Sequence, residues 1–553
     1  MAELKFERGY PEYMLESIEL VKKTRPHRMG QQFQKMTLKE RDDVLRLHPD
    51  YAPGGKRTLN VGVNSGDIAP IEVADLLESR PLVEPGEVDL GAPDYDVDIL
   101  IVGGGLAGTL AAIFADDEGV ETDRILLATK LRHGDSNSMM AQGGTQAADR
   151  PEDSPLIHYI DCLGGGHFTN KPELVRALTQ DAPLVVKWLK DNGAMWDLQE
   201  DGTFLELSGG GTSKRRLHSC KDYTGMEEMR VARDEFRNRG IPALEFSPLV
   251  ELLTDGEGSV AGGILWNMET EGYTIVRAKS TLLATGGFGR LHIRGFPTTN
   301  HYGATADGLV VAYRAGAKLI DLDTVQYHPT GAAYPPQIVG LLITEKLRGL
   351  GAQPVNKDGE QFVFPLEPRD VEASAFIREC YVRGGGVTTP TGIKGVWLDS
   401  PLIDELHGEG TIEGALPAMV RMYKRFGIDM TCDPVLVFPT LHYQNGGIEI
   451  NDRCETSVPG LFASGEVEGG VHGKNRLMGN STLDCLVFGR RGGIYAASYA
   501  KKRQKPAKLT LDHVRGYSKA LKGAGIKTAR KAPILLPDYR GKGALARMID
   551  VLE

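Results

Sequence analysis

Gly103, Gly105 and Gly108 stand in the spacing G-x-G-x-x-G, directly after the apolar run VDILIV and at the start of the small-residue run LAGTLAAIFA. At such a junction the first glycine permits a tight turn, the second lets a pyrophosphate approach the backbone, and the third lets helix and strand pack closely. The spacing alone is a weak signal, but a strand before it and a helix after it give it the context of a dinucleotide site. Farther along, His328, Thr344, Glu345, Arg348, Arg369, His442 and Arg476 sit in the short polar motifs HPTG, TEKLRG, PRDVEASAF, LHYQNGG and KNRLMGN. Guanidinium groups clamp carboxylates through paired hydrogen bonds, and imidazoles and carboxylates move protons. Taken singly, each histidine has an ordinary alternative as a satisfied core residue and each arginine as half of a salt bridge. A third stretch, SNSMMAQGG at residues 136 to 144, holds small polar residues, two methionines and a glycine pair, with no Cys, His or Tyr.

These residues need elements to position them. VDILIV, the glycine turn, the small-residue helix and a second strand at RILLAT form a β-α-β unit. At the end of that second strand, where a generic NAD site places Asp or Glu, stand Thr129 and Lys130. STLLATGG at 280 to 287 and GLFASGE at 460 to 466 read as further buried strands, so the dinucleotide domain is assembled from segments far apart in the chain. Residues 323 to 438, with different punctuation and several polar motifs, read as a domain inserted into the first. Residues 1 to 91 are rich in charge and proline, with a helix-like piece at PEYMLESIELVKK, and read as an arm lying on the main body or on a partner. The tail after Gly493 is short and basic.

The 553 residues, 41% hydrophobic and 25% charged, suffice for two to four domains. A formal charge of −10 disfavours nucleic-acid binding; the short basic run Lys214, Arg215, Arg216 reads as a solvated loop. The six cysteines form no CxxC pair and no spacing that ligates zinc or an iron–sulfur cluster, so no metal centre is expected and the thiols read as reduced, in a cytoplasmic protein. The N-terminus is too charged for a signal peptide, and no apolar run reaches the roughly 18 residues a membrane span needs. Membrane association would come through partner subunits.

In order and spacing, SNSMMAQGG, LLATGGFGR, TADG, VQYHPTG, LLITEKLRG, PRDVEASAF, PTLHYQNGGIEI and ASGEVEGGVHGKNRLMGNSTLDCLVFGRRGG resemble the flavoprotein subunit of succinate dehydrogenase and fumarate reductase, a family that includes L-aspartate oxidase. The match covers roughly residues 96 to 495. It implies an α/β fold: a Rossmann-like FAD-binding domain (92–322 and 439–495), an inserted α+β capping domain (323–438), an N-terminal extension (1–91) and a short C-terminal segment (496–553). It implies that His328, Thr344, His442 and Arg476 grip the two carboxylates of a C4 dicarboxylate, fumarate or succinate. Arg369 is the implied general acid, protonating the carbon opposite the face that receives hydride from flavin N5, and Glu345 and Arg348 the relay that reprotonates it. Such a reaction builds negative charge on carbon and carboxylate, which fixed cations and oriented donors stabilise. A guanidinium can act as an acid where a crowded cationic pocket favours its neutral form.

On the cofactor side the resemblance assigns Gly103, Gly105, Gly108, Thr129, Lys130, Ser136, Asn137, Gln142, Gly143, Gly144, Thr285, Gly286, Gly287, Asp307, Glu466, Asn480 and Ser481. Thr129-Lys130 fits, since the family commonly carries a small hydroxylic residue and a lysine there. Asn137 falls where many members place the histidine that bonds covalently to the flavin. Asparagine has no nucleophilic ring nitrogen, so FAD is expected to be held noncovalently. The implied activity is fumarate reduction as the catalytic subunit of an electron-transfer complex, fed by an iron–sulfur subunit. L-aspartate oxidase, and an electron-transfer flavoprotein without dicarboxylate turnover, are the alternatives.

Overall fold

The computed structural model describes residues 6–7, 9–538 and 543–553. The first long element, α1 (Glu12–Met29), buries Met14, Ile18 and Val21, spaced four and three residues apart on one face. α2 (Leu38–Leu45) begins in a capping box in which the Thr37 hydroxyl accepts from the Glu40 amide and the Glu40 carboxylate accepts from the Thr37 amide.

The main body starts at β1 (Tyr95–Val102), passes through the glycine turn into α3 (Leu106–Asp117) and returns as β2 (Ile125–Ala128). The second half of β1, Ile99 to Val102, is an unbroken apolar run with Ile99, Leu100 and Ile101 fully buried, as expected of a strand covered on both faces. β3 (Ala243–Leu244) extends the parallel edge beyond β2, and β4 (Leu249–Thr254), β5 (Val260–Asn267) and β6 (Gly272–Leu283) close the other side as an antiparallel meander. The order is β3-β2-β1-β6-β5-β4. β6 serves two neighbours on one edge: Gly272 to Arg277 pair with β5, while Thr281 to Leu283 pair in parallel with the distant strand Leu461–Ala463. The ends of β1, β2 and β6 thus open on one side of the sheet, where ligands of open α/β sheets bind. α4 (Asp307–Arg314) follows on that side.

The chain then builds a second, antiparallel sheet from β7 (Val325–Ala332), β8 (Gln353–Val355), β9 (Lys394–Asp399) and β10 (Val435–Gln444), in the order β7-β10-β9-β8, with α5 (Arg369–Ile377) packed on β7. We call this the cap. The α/β architecture read from the sequence is the one observed. β10 runs unbroken through residue 438, leading straight from the cap back toward the main body. β11 (Leu461–Ala463) then completes the first sheet, and α6 (Asn480–Lys502) crosses it against α3. The two helices meet backbone to backbone: a Cβ on Gly493 would lie 2.2 Å from the Ala111 carbonyl oxygen.

The N-terminal segment packs on both bodies. On the cap, Tyr10 donates to the Pro434 carbonyl at 2.7 Å, the Trp397 indole donates to Ser17 at 2.8 Å, and Arg25 and Arg28 both pair with the buried Asp399 at 2.8 Å. On the main body, Tyr313 donates to the Val61 carbonyl, Arg294 to the Ala52 carbonyl, and Asn64 exchanges two hydrogen bonds with the Leu319 backbone. No helix among the described residues is long and apolar enough to cross a membrane.

Candidate active site

A cleft with about 1530 Å³ of empty space runs from the β1–α3 turn to the underside of the cap. Its floor is the glycine turn. Gly103 adopts φ +122°, which an L side chain avoids, and a Cβ on Gly108 would sit 1.9 Å from the Gly103 carbonyl oxygen. Gly103 and Gly105 line the cleft, whereas Gly108 lies beneath it and sets how closely α3 approaches the turn.

Thr129, Lys130, Ser136, Asn137, Gln142, Gly143, Gly144, Thr285, Gly286, Asp307, Glu466 and Ser481 also line the cleft. The Lys130 ammonium is paired with Asp307 at 2.8 Å and donates to Thr305 at 2.7 Å, so the two candidate cofactor residues hold each other. The Gln142 side-chain oxygen is buried with no hydrogen-bond partner, and the first turn of α6 turns Ser481 and Thr482 toward the cleft. An unpartnered acceptor, a glycine floor and a helix N-terminus fit a phosphorylated dinucleotide with a polar ring system.

Asn137 is fixed at two points: its Oδ1 accepts from the His301 amide at 2.6 Å and its Nδ2 donates to Glu466 Oε2 at 3.0 Å. The other Glu466 oxygen accepts from the Gln444 amide at 3.1 Å. Burial raises the Glu466 pKa, against the pull of these hydrogen bonds. Gly287 stands behind Glu466, a Cβ there meeting Oε1 at 2.6 Å. The Asn480 side chain turns away from the cleft, bonding to His158 Nε2 and to the Cys162 sulfur at 3.1 Å each. Asn480 therefore faces the helix's own packing surface, and only its backbone stands at the cleft end of α6.

At the cap end, β7, the start of α5, β10 and the loop before α6 bring Arg369, His442 and Arg476 onto one wall of the same cleft. Arg369 Nε donates to Glu345 Oε2 at 2.9 Å, and Arg348 reaches the same oxygen at 3.3 Å while also pairing with Glu372. Glu345 Oε1 accepts from the Gly210 amide at 2.7 Å. All three groups are buried. His328 lies behind His442, ring centroids 5.0 Å apart, and Thr299 holds His442 Nδ1 at 2.7 Å. Thr344 Oγ1 is 3.8 Å from a Cβ built on Gly143, so it lies beside the glycine pair.

The electrostatics follow from burial. Burial lowers the Arg369 pKa below the ordinary guanidinium range, with Glu345 opposing and Arg348 adding to the shift. Arg476 falls to about 9 through burial and the neighbouring Arg369 charge. Burial and the arginines drive His328 and His442 well below their ordinary values, so both imidazoles are neutral at neutral pH. Burial favours a protonated Glu345, but Arg369 and Arg348 outweigh it and its carboxyl titrates below the usual value. Glu372 goes the other way: burial raises it well above the carboxylate range.

The sequence reading missed the group that ties the two arginines together. Gln326 Oε1 accepts from Arg369 Nη1 at 3.1 Å and from Arg476 Nη2 at 2.9 Å, while Gln326 Nε2 donates to the Arg476 carbonyl at 2.7 Å. Its position two residues before His328, on the same face of β7, was the available signal. Tyr443 was also missed; its ring centroid lies 4.5 Å from the Arg476 guanidinium carbon.

Residues 98–482 match the FAD binding domain family. One subunit of the fumarate reductase (CoM/CoB) of Methanothermobacter marburgensis is 39% identical over 417 residues, 73% of this chain and 73% of that one. L-aspartate oxidase of Streptomyces coelicolor is 36% identical over 416 residues, covering 72% and 68%. Among solved structures, quinol fumarate reductase FrdA of E. coli superposes with a TM-score of 0.68 at 30% identity, over 78% of this chain and 74% of that one. The chain accordingly carries an FAD binding domain and belongs to the family of FAD-dependent oxidoreductases formed by the flavoprotein subunits of fumarate reductase and succinate dehydrogenase together with L-aspartate oxidase.

Proposed function

We propose that this protein reduces fumarate to succinate as the catalytic flavoprotein subunit of an electron-transfer complex. One observation carries the proposal: Arg369, buried against Glu345 and lowered in pKa, opens on the same cleft as the glycine floor, with Arg476 and His442 beside it. FAD, when bound, supplies the hydride. The chain's residues do the rest. Arg476, His442, His328 and Thr344 bind and polarise the two carboxylates, the neutral imidazoles as hydrogen-bond donors and Arg476 as a cation. Arg369 delivers a proton to the substrate carbon, and Glu345, in contact with both Arg369 and Arg348, returns one to it. Gln326 keeps the acid and the clamp at a fixed separation. FAD is held without a covalent bond, Asn137 standing where a nucleophilic side chain would be needed.

Two-electron reduction needs a donor, and the spacing of the six cysteines offers no cluster ligation within this chain. The relative from Methanothermobacter is one subunit of its enzyme, which supports assembly with a further subunit here as well; the family resemblance makes that an iron–sulfur subunit. The test is anaerobic. Protein with dithionite-reduced flavin is mixed with fumarate and the return of the oxidised flavin spectrum is followed; no reoxidation would sink the proposal. L-aspartate added to the oxidised protein should leave the colour unchanged. Rapid bleaching by L-aspartate would replace fumarate reduction with the oxidase reading.

A further inference from the structure

We propose that Asp149, Glu206 and His218 form a binding site for a divalent transition cation, best matched by Zn²⁺, on the strand that backs the flavin-cradling Gly143–Gly144 turn. The strand Leu217–His218 is central in a small sheet, pairing with Thr145–Gln146 on one side and Glu206–Leu207 on the other. A Cβ on Gly144 would lie 2.5 Å from the His218 carbonyl oxygen, so the strand touches the turn directly.

Three observations point to a cation. First, His218 Nδ1 lies 3.1 Å from the Arg216 carbonyl, which can only accept, so Nδ1 donates there and Nε2 is the ring nitrogen turned toward the two carboxylates, where a cation would replace its hydrogen-bond contact with Asp149. A backbone carbonyl holding one ring nitrogen is the usual outer support of a metal-ligating histidine. Second, Nε2 faces only acceptors: Asp149 Oδ2 at 3.0 Å and Glu206 Oε1 at 3.6 Å. Third, Glu206 is 5% exposed and its Oε1 has no hydrogen-bond partner. Arg150 holds the other oxygen, Oε2, at 2.7 Å, which directs Oε1 toward His218.

The three candidate ligand atoms lie within 4.8 Å of one another. Zinc bonds of about 2.0–2.2 Å in a tetrahedron set ligand atoms roughly 3.4 Å apart, so the observed separations need only small adjustments. One imidazole and two carboxylates suit zinc better than calcium or magnesium, which favour all-oxygen shells. Phe204 and Trp196 pack edge-on against the His218 ring and wall off the inner side, while the partly exposed Asp149 leaves an entry path.

The test uses the flavin-loaded full chain, stripped with a chelator and titrated with Zn²⁺ by calorimetry. One site is expected, with affinity lowered at least roughly tenfold in Asp149→Asn and in Glu206→Gln, both at unchanged flavin content. Co²⁺ should give the visible bands of a four-coordinate N/O site in the wild type, and Asp149→Asn should abolish them. Asp149 is partly exposed, so that variant keeps the test open if Glu206→Gln fails to fold. Zn²⁺ binding that is absent, or that is equally tight in Asp149→Asn, would overturn the proposal and identify the trio as a hydrogen-bonded histidine–carboxylate cluster.

Discussion

In the proposed reaction Arg369 is both a cation and an acid, and its surroundings bear on both roles. Burial makes its charge costly, while Glu345 keeps it charged at rest. Arg369→Lys is expected to lower kcat for fumarate by roughly 10²–10⁴, because an ammonium cannot reproduce the planar fork that reaches Glu345 and Gln326 together. Flavin content should not change; near-normal turnover would remove Arg369 from the acid role. Arg476 supplies the pH dependence. It carries its charge below about 9 and loses it above, so kcat/KM, which reports the free enzyme, should fall as pH rises through 9. A flat profile to pH 10 would show that Arg476 keeps its charge through that range. Asn137 gives a third expectation: acid precipitation should release all the yellow colour to the supernatant, since hydrogen bonds do not survive unfolding. Flavin fluorescence remaining on the denatured band in a gel would contradict noncovalent binding.

At the scale of elements, the decisive junction is β1 to α3. The third glycine of the motif does not touch the cleft; it lets α3 start close enough to the turn for its amides to face a phosphate. Gly108→Ala places a methyl group 1.9 Å from the Gly103 carbonyl oxygen, a contact that only backbone movement can relieve. Overpacking of this kind costs about 1–3 kcal/mol. The variant should lose FAD on gel filtration and melt at a lower temperature, and full flavin retention with an unchanged Tm would show that the junction can adapt. α3 and α6 meet by the same device, glycine on alanine, which brings the amino end of α6 to the cleft.

Across the whole molecule, the N-terminal segment spans the cap and the sheet domain, and the two buried arginines of α1 converge on Asp399 in β9. Removing one partner of a buried pair costs about 3–5 kcal/mol, because the remaining charges stay desolvated. Asp399→Asn should therefore lower the denaturant midpoint clearly, with no catalytic group altered. A loss below about 1 kcal/mol would place these pairs in the weak, solvent-screened class. Tying cap to sheet domain from outside constrains how far the two parts separate, and the cleft lies between them.

The sequence by itself determined what depends on local pattern. An apolar run, a glycine spacing and a small-residue run specify strand, tight turn and closely packed helix, because backbone sterics and burial act over a few residues. The ordered motifs likewise carried the family and its cofactor, FAD. Tertiary structure decided everything that depends on which side chains meet. Gln326 as the bridge between Arg369 and Arg476, Asn137 spanning from His301 to Glu466, and Lys130 paired with Asp307 join residues far apart in the chain. Asn480 sits in a motif beside Ser481, yet only Ser481 faces the cleft, since successive positions on a helix point about 100° apart and the register is set by packing. Which surface α1 covers was equally invisible, because an amphipathic face states that something apolar is buried and leaves the partner to the assembled fold.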